Sequence, residues 1–206
     1  MNSSEDNSEI TLGVLNAVEE NSRVTQRDVA KNIGIALGLT NAYLKRCIKK
    51  GLIKVQQAPA NRYAYYLTPQ GFAEKSRLTG EYLAQGFQFF RVARQEVMGL
   101  LEECQKREWS KIALYGLTEL AEVAVLVSIN FEIEIIGIVD KSSSQEAYAE
   151  KEIVRDLSDL NGVDAVILTD LGDPQSSYNQ IIKVLPNNRV LTPNMLNISR
   201  IEDYSK

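Results

Sequence analysis

The sequence predicts two small modules in series, an α+β module followed by an α/β module built on a parallel sheet. Three observations carry that expectation. The N-terminal part has apolar residues at helical spacing and then two short strand-like runs. The C-terminal half alternates apolar strands with helical segments, the pattern of a parallel sheet. Charge is also polarised: residues 22–66 hold nine Lys or Arg against one acidic residue, Asp28, in a chain of formal net charge −4. That segment carries +8 and the remaining residues together −12. Clustered positive charge of this size is the electrostatic footprint of a nucleic-acid-binding surface.

Ile10, Val14, Leu15 and Val18 recur at helical spacing and predict a first helix ending near Asn21. Thr25 reads as the N-cap of a second helix, with Val29, Ala30 and Ile33 facing inward. Gly34 supplies the tight turn, and a third helix runs from Leu37 to Lys50 and stops at Gly51. On a helical wheel Leu37, Thr40, Leu44, Cys47 and Ile48 share the inward side. Opposite them fall Gly38, Asn41, Ala42, Lys45, Arg46 and Lys49. Small residues there let the backbone approach base edges, Asn41 can donate and accept on an adenine, and the cations suit guanine or phosphate. Ile53–Gln57 and Tyr63–Leu67 then read as two strands joined by Ala58-Pro59-Ala60-Asn61-Arg62. Tyr63, Tyr65 and Tyr66 give that hairpin aromatic cross-strand pairing.

This order is that of a winged helix-turn-helix, and the segment resembles MarR-like transcriptional regulators. The resemblance is carried by Thr25-Gln26-Arg27-Asp28-Val29-Ala30-Lys31, by Leu39-Thr40-Asn41-Ala42-Tyr43-Leu44-Lys45-Arg46, and by Lys49-Lys50-Gly51-Leu52-Ile53-Lys54. The closing Leu67-Thr68-Pro69-Gln70-Gly71 extends it, so that it covers about residues 8–78. It implies binding to double-stranded DNA as a homodimer on a two-fold site. The expected contacts are Gln26, Arg27, Gly38, Asn41, Ala42, Lys45, Arg46, Lys49, Lys54, Asn61 and Arg62. Asn41 and Lys45 lie nearest base edges, whereas Arg46, Lys49, Lys54 and Arg62 hold phosphates.

From Pro69 to about Arg107 the chain lacks further proline, although Gly80, Gly86 and Gly99 weaken a continuous helix. Leu83, Phe87, Phe90, Arg94, Val97, Leu101 and Cys104 alternate spacings of four and three, a heptad seam with one polar break. The expectation is a dimerisation helix; packing onto the chain's own domains would give similar spacing.

In the last half, Lys111–Tyr115, Glu132–Val139, Ala165–Leu168 and Val190-Leu191 read as strands, with helices near Glu119–Ile129 and Gln175–Leu185. The expected domains are therefore 1–78, a connecting helix over 79–109, and 110–206. Gly116-Leu117-Thr118-Glu119-Leu120-Ala121 stands where a phosphate-binding turn belongs, and Asp140 lies 24 residues after Gly116. The segment resembles the Rossmann-like start of nucleotide-sugar enzymes. What the resemblance implies is a nucleotide or nucleotide-sugar effector held by Gly116, Thr118 and Asp140. Thr118 departs from the pattern, because a second glycine normally lets the backbone approach a pyrophosphate there. Three readings stay open for this half: a small-ligand sensor, a module kept for packing and dimerisation, and a catalytic Rossmann domain. Residues 110–206 hold eight basic and fifteen acidic residues, which argues against a second DNA-binding surface. Ser142-Ser143-Ser144 reads as a turn in a mobile loop, and the carboxylates of Asp170-Leu171-Gly172-Asp173-Pro174 as caps of the helix that follows.

Histidine is absent, which removes His general bases, Ser-His and Cys-His nucleophile pairs and His metal ligands. Cys47 and Cys104 suggest no disulfide, and no apolar run is long enough to span a membrane. The expectation is a cytoplasmic, non-enzymatic, dimeric transcriptional regulator. An enzyme-like nucleotide-sugar binder, or an adapter that kept the winged fold without DNA, is the alternative.

Overall fold

The computed structural model describes the backbone of residues 3–58 and 62–200 and the side chains of residues 7–57 and 63–200. The chain divides into two compact units, Met1–Phe87 and Gln88–Lys206.

The first unit begins with α1 (Ser3–Glu20), α2 (Gln26–Ile33) and α3 (Leu37–Lys49). β1 (Ile53–Ala58) and β2 (Arg62–Leu67) follow as an antiparallel hairpin, with Lys54 opposite Tyr66 and Val55 opposite Tyr65. α2 starts where it does because Thr25 and Asp28 form a reciprocal capping box, each side chain bonded to the other's backbone N–H. It ends at Gly34, whose φ of 67° is left-handed backbone that a β-carbon would strain. The core is built from Leu12, Val14, Leu15 and Val18 of α1, Val29 of α2, Tyr43, Leu44 and Cys47 of α3, and Ile53 and Tyr65 of the hairpin. The Tyr65 N–H donates to the Ser22 carbonyl at 2.8 Å, fastening the hairpin to the α1–α2 turn. The hairpin tip, including Asn61, lies outside the described residues.

α4 is one helix over Pro69–Lys106, despite its three interior glycines. Its first turn is anchored by Thr68, which donates to the Gly51 carbonyl at 2.6 Å and accepts from the Gly71 N–H at 3.0 Å. The heptad seam divides. Leu83 and Phe87 in the first unit and Phe90 in the second are exposed, whereas Val97, Leu101 and Cys104 are fully buried in the second unit's core. Its latter half thus packs onto the chain's own domain, because the apolar sheet beside it has the stronger claim on those side chains.

The second unit is a six-stranded sheet in the order β5-β6-β4-β3-β7-β8. Its strands are β3 (Lys111–Tyr115), β4 (Glu134–Val139), β5 (Ala147-Tyr148), β6 (Lys151–Val154), β7 (Ala165–Leu168) and β8 (Val190-Leu191). All neighbours are parallel except the antiparallel β5–β6 pair. β3, first in this unit, sits centrally with its successors laid outward on both sides, a Rossmann-like order. Alternation along the strands serves two layers. Ile112, Leu114 and Ile167 join Val97 and Leu101 of α4 and Leu120 and Ala124 of α5 (Glu119–Ser128). Ala113, Val166 and Leu168 join Tyr178 and Ile181 of α6 (Pro174–Ile181) on the other face. No helix among the described residues is long and apolar enough to cross a membrane.

Candidate nucleic-acid interface

α3 presents a buried side made of Thr40, Tyr43, Leu44 and Cys47. Gly38, Ala42, Lys45, Arg46 and Lys49 are exposed, as the wheel places them. Lysines and arginine fall on the C-terminal half of the helix, and no acidic residue stands in its first turn. Arg27 of α2 is exposed beside a half-buried Gln26, and Lys54 is exposed on the outer face of the hairpin. β2 begins at Arg62, whose side chain, like all of Asn61, lies outside the described residues.

Three placements differ from the sequence reading. Leu37 is 41 % exposed instead of inward. The wheel reports direction, not depth: Leu37 shares its angle with Leu44 but lies in the first turn, beyond the end of the core. Leu39, which the wheel left unassigned, is 43 % exposed on the same tip. Asn41 is only half-exposed, and its Oδ1 is buried with no hydrogen-bond partner. A bidentate adenine contact needs both ends of the amide in the groove, which requires the Asn41 side chain to turn outward from this position. Arg46 is also committed internally. Its Nη1 donates to Asn7 Oδ1 at 3.2 Å, Tyr43 donates to the same oxygen, and the guanidinium lies 5.1 Å from the Tyr43 ring centroid. Asn7 belongs to α1, and nothing in local spacing signals a contact across 39 residues.

At the candidate effector site the side chains bond to neighbouring backbone and to one another. Gly116 has φ +101°, and a β-carbon there would stand 2.6 Å from Asp170 Cα, so β3 and β7 close on each other at their carboxyl ends. Thr118 caps α5 by accepting from the Leu120 N–H at 3.2 Å and donates its own proton to the Thr169 carbonyl. One carboxylate oxygen of Asp140 accepts the Leu117 N–H at 2.9 Å, and the other accepts from the Ser142 N–H, the Ser142 hydroxyl and the Ser143 N–H at 2.7–3.0 Å. Burial pushes this carboxyl up, but the bonds from Ser142, Leu117 and Ser143 outweigh it and hold the pKa below the usual value. The edge is acidic: burial first, then the charges of Asp156, Asp170 and Asp140, raise the Tyr115 phenol. Asp173 caps α6 through the Ser176 N–H at 3.2 Å. No group of side chains suited to hold a metal ion occurs among the described residues.

Residues 7–54 match the winged helix-turn-helix DNA-binding family. No curated protein matches the chain. Among solved structures, the PcaV transcriptional regulator from Streptomyces coelicolor is 25% identical, covers 44% of this chain and 60% of that one, and superposes with a TM-score of 0.35. MepR, a transcription regulator of the Staphylococcus aureus multidrug efflux pump MepA, is 21% identical over 41% of this chain and 62% of its own, with a TM-score of 0.35. The match thus spans about three fifths of either regulator's length. Human N-acetylserotonin methyltransferase is 14% identical over 92% of this chain and 75% of its own, with a TM-score of 0.36. Superpositions at these scores decide nothing about activity.

Proposed function

We propose that the protein is a sequence-specific DNA-binding transcriptional regulator that acts as a homodimer, with its α/β module serving assembly in preference to catalysis. The observation that carries this reading is α3: within a segment matching a winged helix-turn-helix, it presents a continuous outer face of small, apolar and cationic side chains with no acid in its first turn. Lys49 and Lys54 supply phosphate contacts that hold such a domain on a duplex, and Lys45 lies nearer the base edges. Fluorescence anisotropy tests it, with DNA from upstream of the protein's own gene against random duplex across a salt series. Tighter binding to the upstream DNA, falling steeply with salt, supports the reading; no binding at low salt rejects it.

The dimer rests on α4, where Tyr82, Leu83 and Phe87 are each more than half exposed. Apolar side chains in consecutive turns on one helix face are what a second copy would cover. A single sedimenting species of monomer mass at micromolar concentration would reject it. Assembly is preferred to nucleotide sensing because the Asp140 carboxylate already fills the anion position of the turn. Thermal shift with nucleoside diphosphates and nucleotide-sugars tests that preference, and a rise in midpoint would return this module to the sensor reading.

A further inference from the structure

α3 is chemically divided along its length. Its first two turns hold no charged side chain, and its cations begin at Lys45. At the tip, Leu37 is 41 % exposed, Leu39 is 43 % exposed and Ala42 is exposed. A β-carbon on Gly38 would meet nothing within 4 Å, so there is open space on the side of the helix where a Gly38 side chain would point. Lys49 lies roughly 18 Å further along the axis, at 1.5 Å per residue.

Two exposed leucines at the end of a recognition helix are poorly matched to phosphate. The apolar feature a major groove offers is the C5-methyl group of thymine. In a helix-turn-helix, the N-terminal residues of the recognition helix are the ones that meet base edges. The amide alternative is weakened on the same helix, since the Asn41 carbonyl oxygen is buried and unpartnered.

We propose that Leu37 and Leu39 are specificity-determining residues that read thymine methyl groups, so that the preferred half-site carries thymines under the helix tip. The inference rests on the DNA-binding reading and deepens it. What is recognised is the methyl itself and not A·T content, because leucine cannot sense the hydrogen-bonding edge of the pair. Lys49 then lies toward the groove wall, where it adds affinity without sequence.

The test begins by selecting duplexes from a random library with the full chain. The selected duplex is then resynthesised with deoxyuridine replacing thymine at one position at a time, which removes the methyl and leaves pairing intact. Anisotropy at fixed salt should show a loss of about threefold to fivefold at each methyl that packs on a leucine, the factor expected for one buried methyl-sized group. With Leu37→Ser or Leu39→Ser, one of those positions should become indifferent to the same replacement. Both leucines are exposed, so neither change disturbs the core, and the deoxyuridine series needs no variant at all. A selected motif in which every deoxyuridine replacement is silent overturns the proposal while leaving sequence-specific binding intact. Binding without any selected motif also overturns it but keeps the phosphate contacts. No binding to any duplex at low salt rejects the DNA-binding reading itself.

Discussion

The Asp140 carboxylate accepts the backbone N–H of Leu117 at 2.9 Å. In a dinucleotide-binding fold that turn presents its N–H groups to a pyrophosphate; here the anion is part of the chain. Asp140, just after β4, thus bonds to the turn that follows β3.

Asp140→Ala should therefore destabilise the α/β module in the absence of any ligand, by about 1 kcal/mol, since the Leu117 and Ser143 N–H groups it leaves without an acceptor are part-buried. Because the folded-state pKa is depressed, the charged form's contribution is fully present above the unfolded-state value and is lost as pH falls through the folded one. The wild-type melting temperature should fall on acidification below about pH 4, and the variant's should fall less. Melting curves from pH 3 to pH 7 measure both; equal slopes would mean that Asp140 is not linked to folding.

Gly116→Ala should be more severe. The added carbon would lie 2.6–2.7 Å from the Asp170 backbone at a φ of +101°, so the strand ends must part. A loss of about 3 kcal/mol or more is expected, read as a shift in the denaturant midpoint. A midpoint within about 0.5 kcal/mol of wild type would show that the two strand ends separate easily.

On DNA, Lys49→Ala should weaken specific and random duplex alike and reduce the slope of log affinity against log salt by about 1. Leu39→Ser, at the exposed tip of α3, should leave the slope unchanged and relax sequence preference. Identical behaviour of the two variants on both duplexes would overturn the division between phosphate and base contacts on α3.

The thiols give a test that involves no ligand. Burial, the largest cause, raises Cys47 to about 11 and Cys104 to about 12. Both should stay protonated and unreactive toward a disulfide reagent at pH 8. Two thiols should titrate after denaturation and none within minutes before it.

Legibility in the sequence followed the range of each interaction. The N-cap at Thr25 and the tight turn at Gly34 act within a few residues, and both are readable from the local sequence. The strand at Ala165–Leu168 was equally plain, because a strand buried on both faces must be apolar throughout. Leu37 was misplaced because periodicity tells where a side chain points but not where the core stops. The Asn7–Arg46 contact and the filling of the Asp140 turn join distant stretches of chain. Residue type therefore suggested their chemistry without revealing that the partner was internal. The β5–β6 hairpin escaped notice altogether, since its turn lacks the Asn-Gly or Asp-Gly signal of such loops.

That turn is formed by Ala149 and Glu150, at φ 46° and 63°, and it joins strands paired at only two positions, Ala147 with Glu152 and Tyr148 with Lys151. Non-glycine residues resist this conformation, so the hairpin cannot seed itself from local preference. β6 meets β4 through Ile138–Ile153 and Val139–Val154, and it is this docking that must hold the turn in place. The β5 edge is therefore the part of the sheet held by the fewest pairings. Amide exchange should then be fastest at Ala147–Lys151, making this edge the first part of the sheet to open when the protein is stressed.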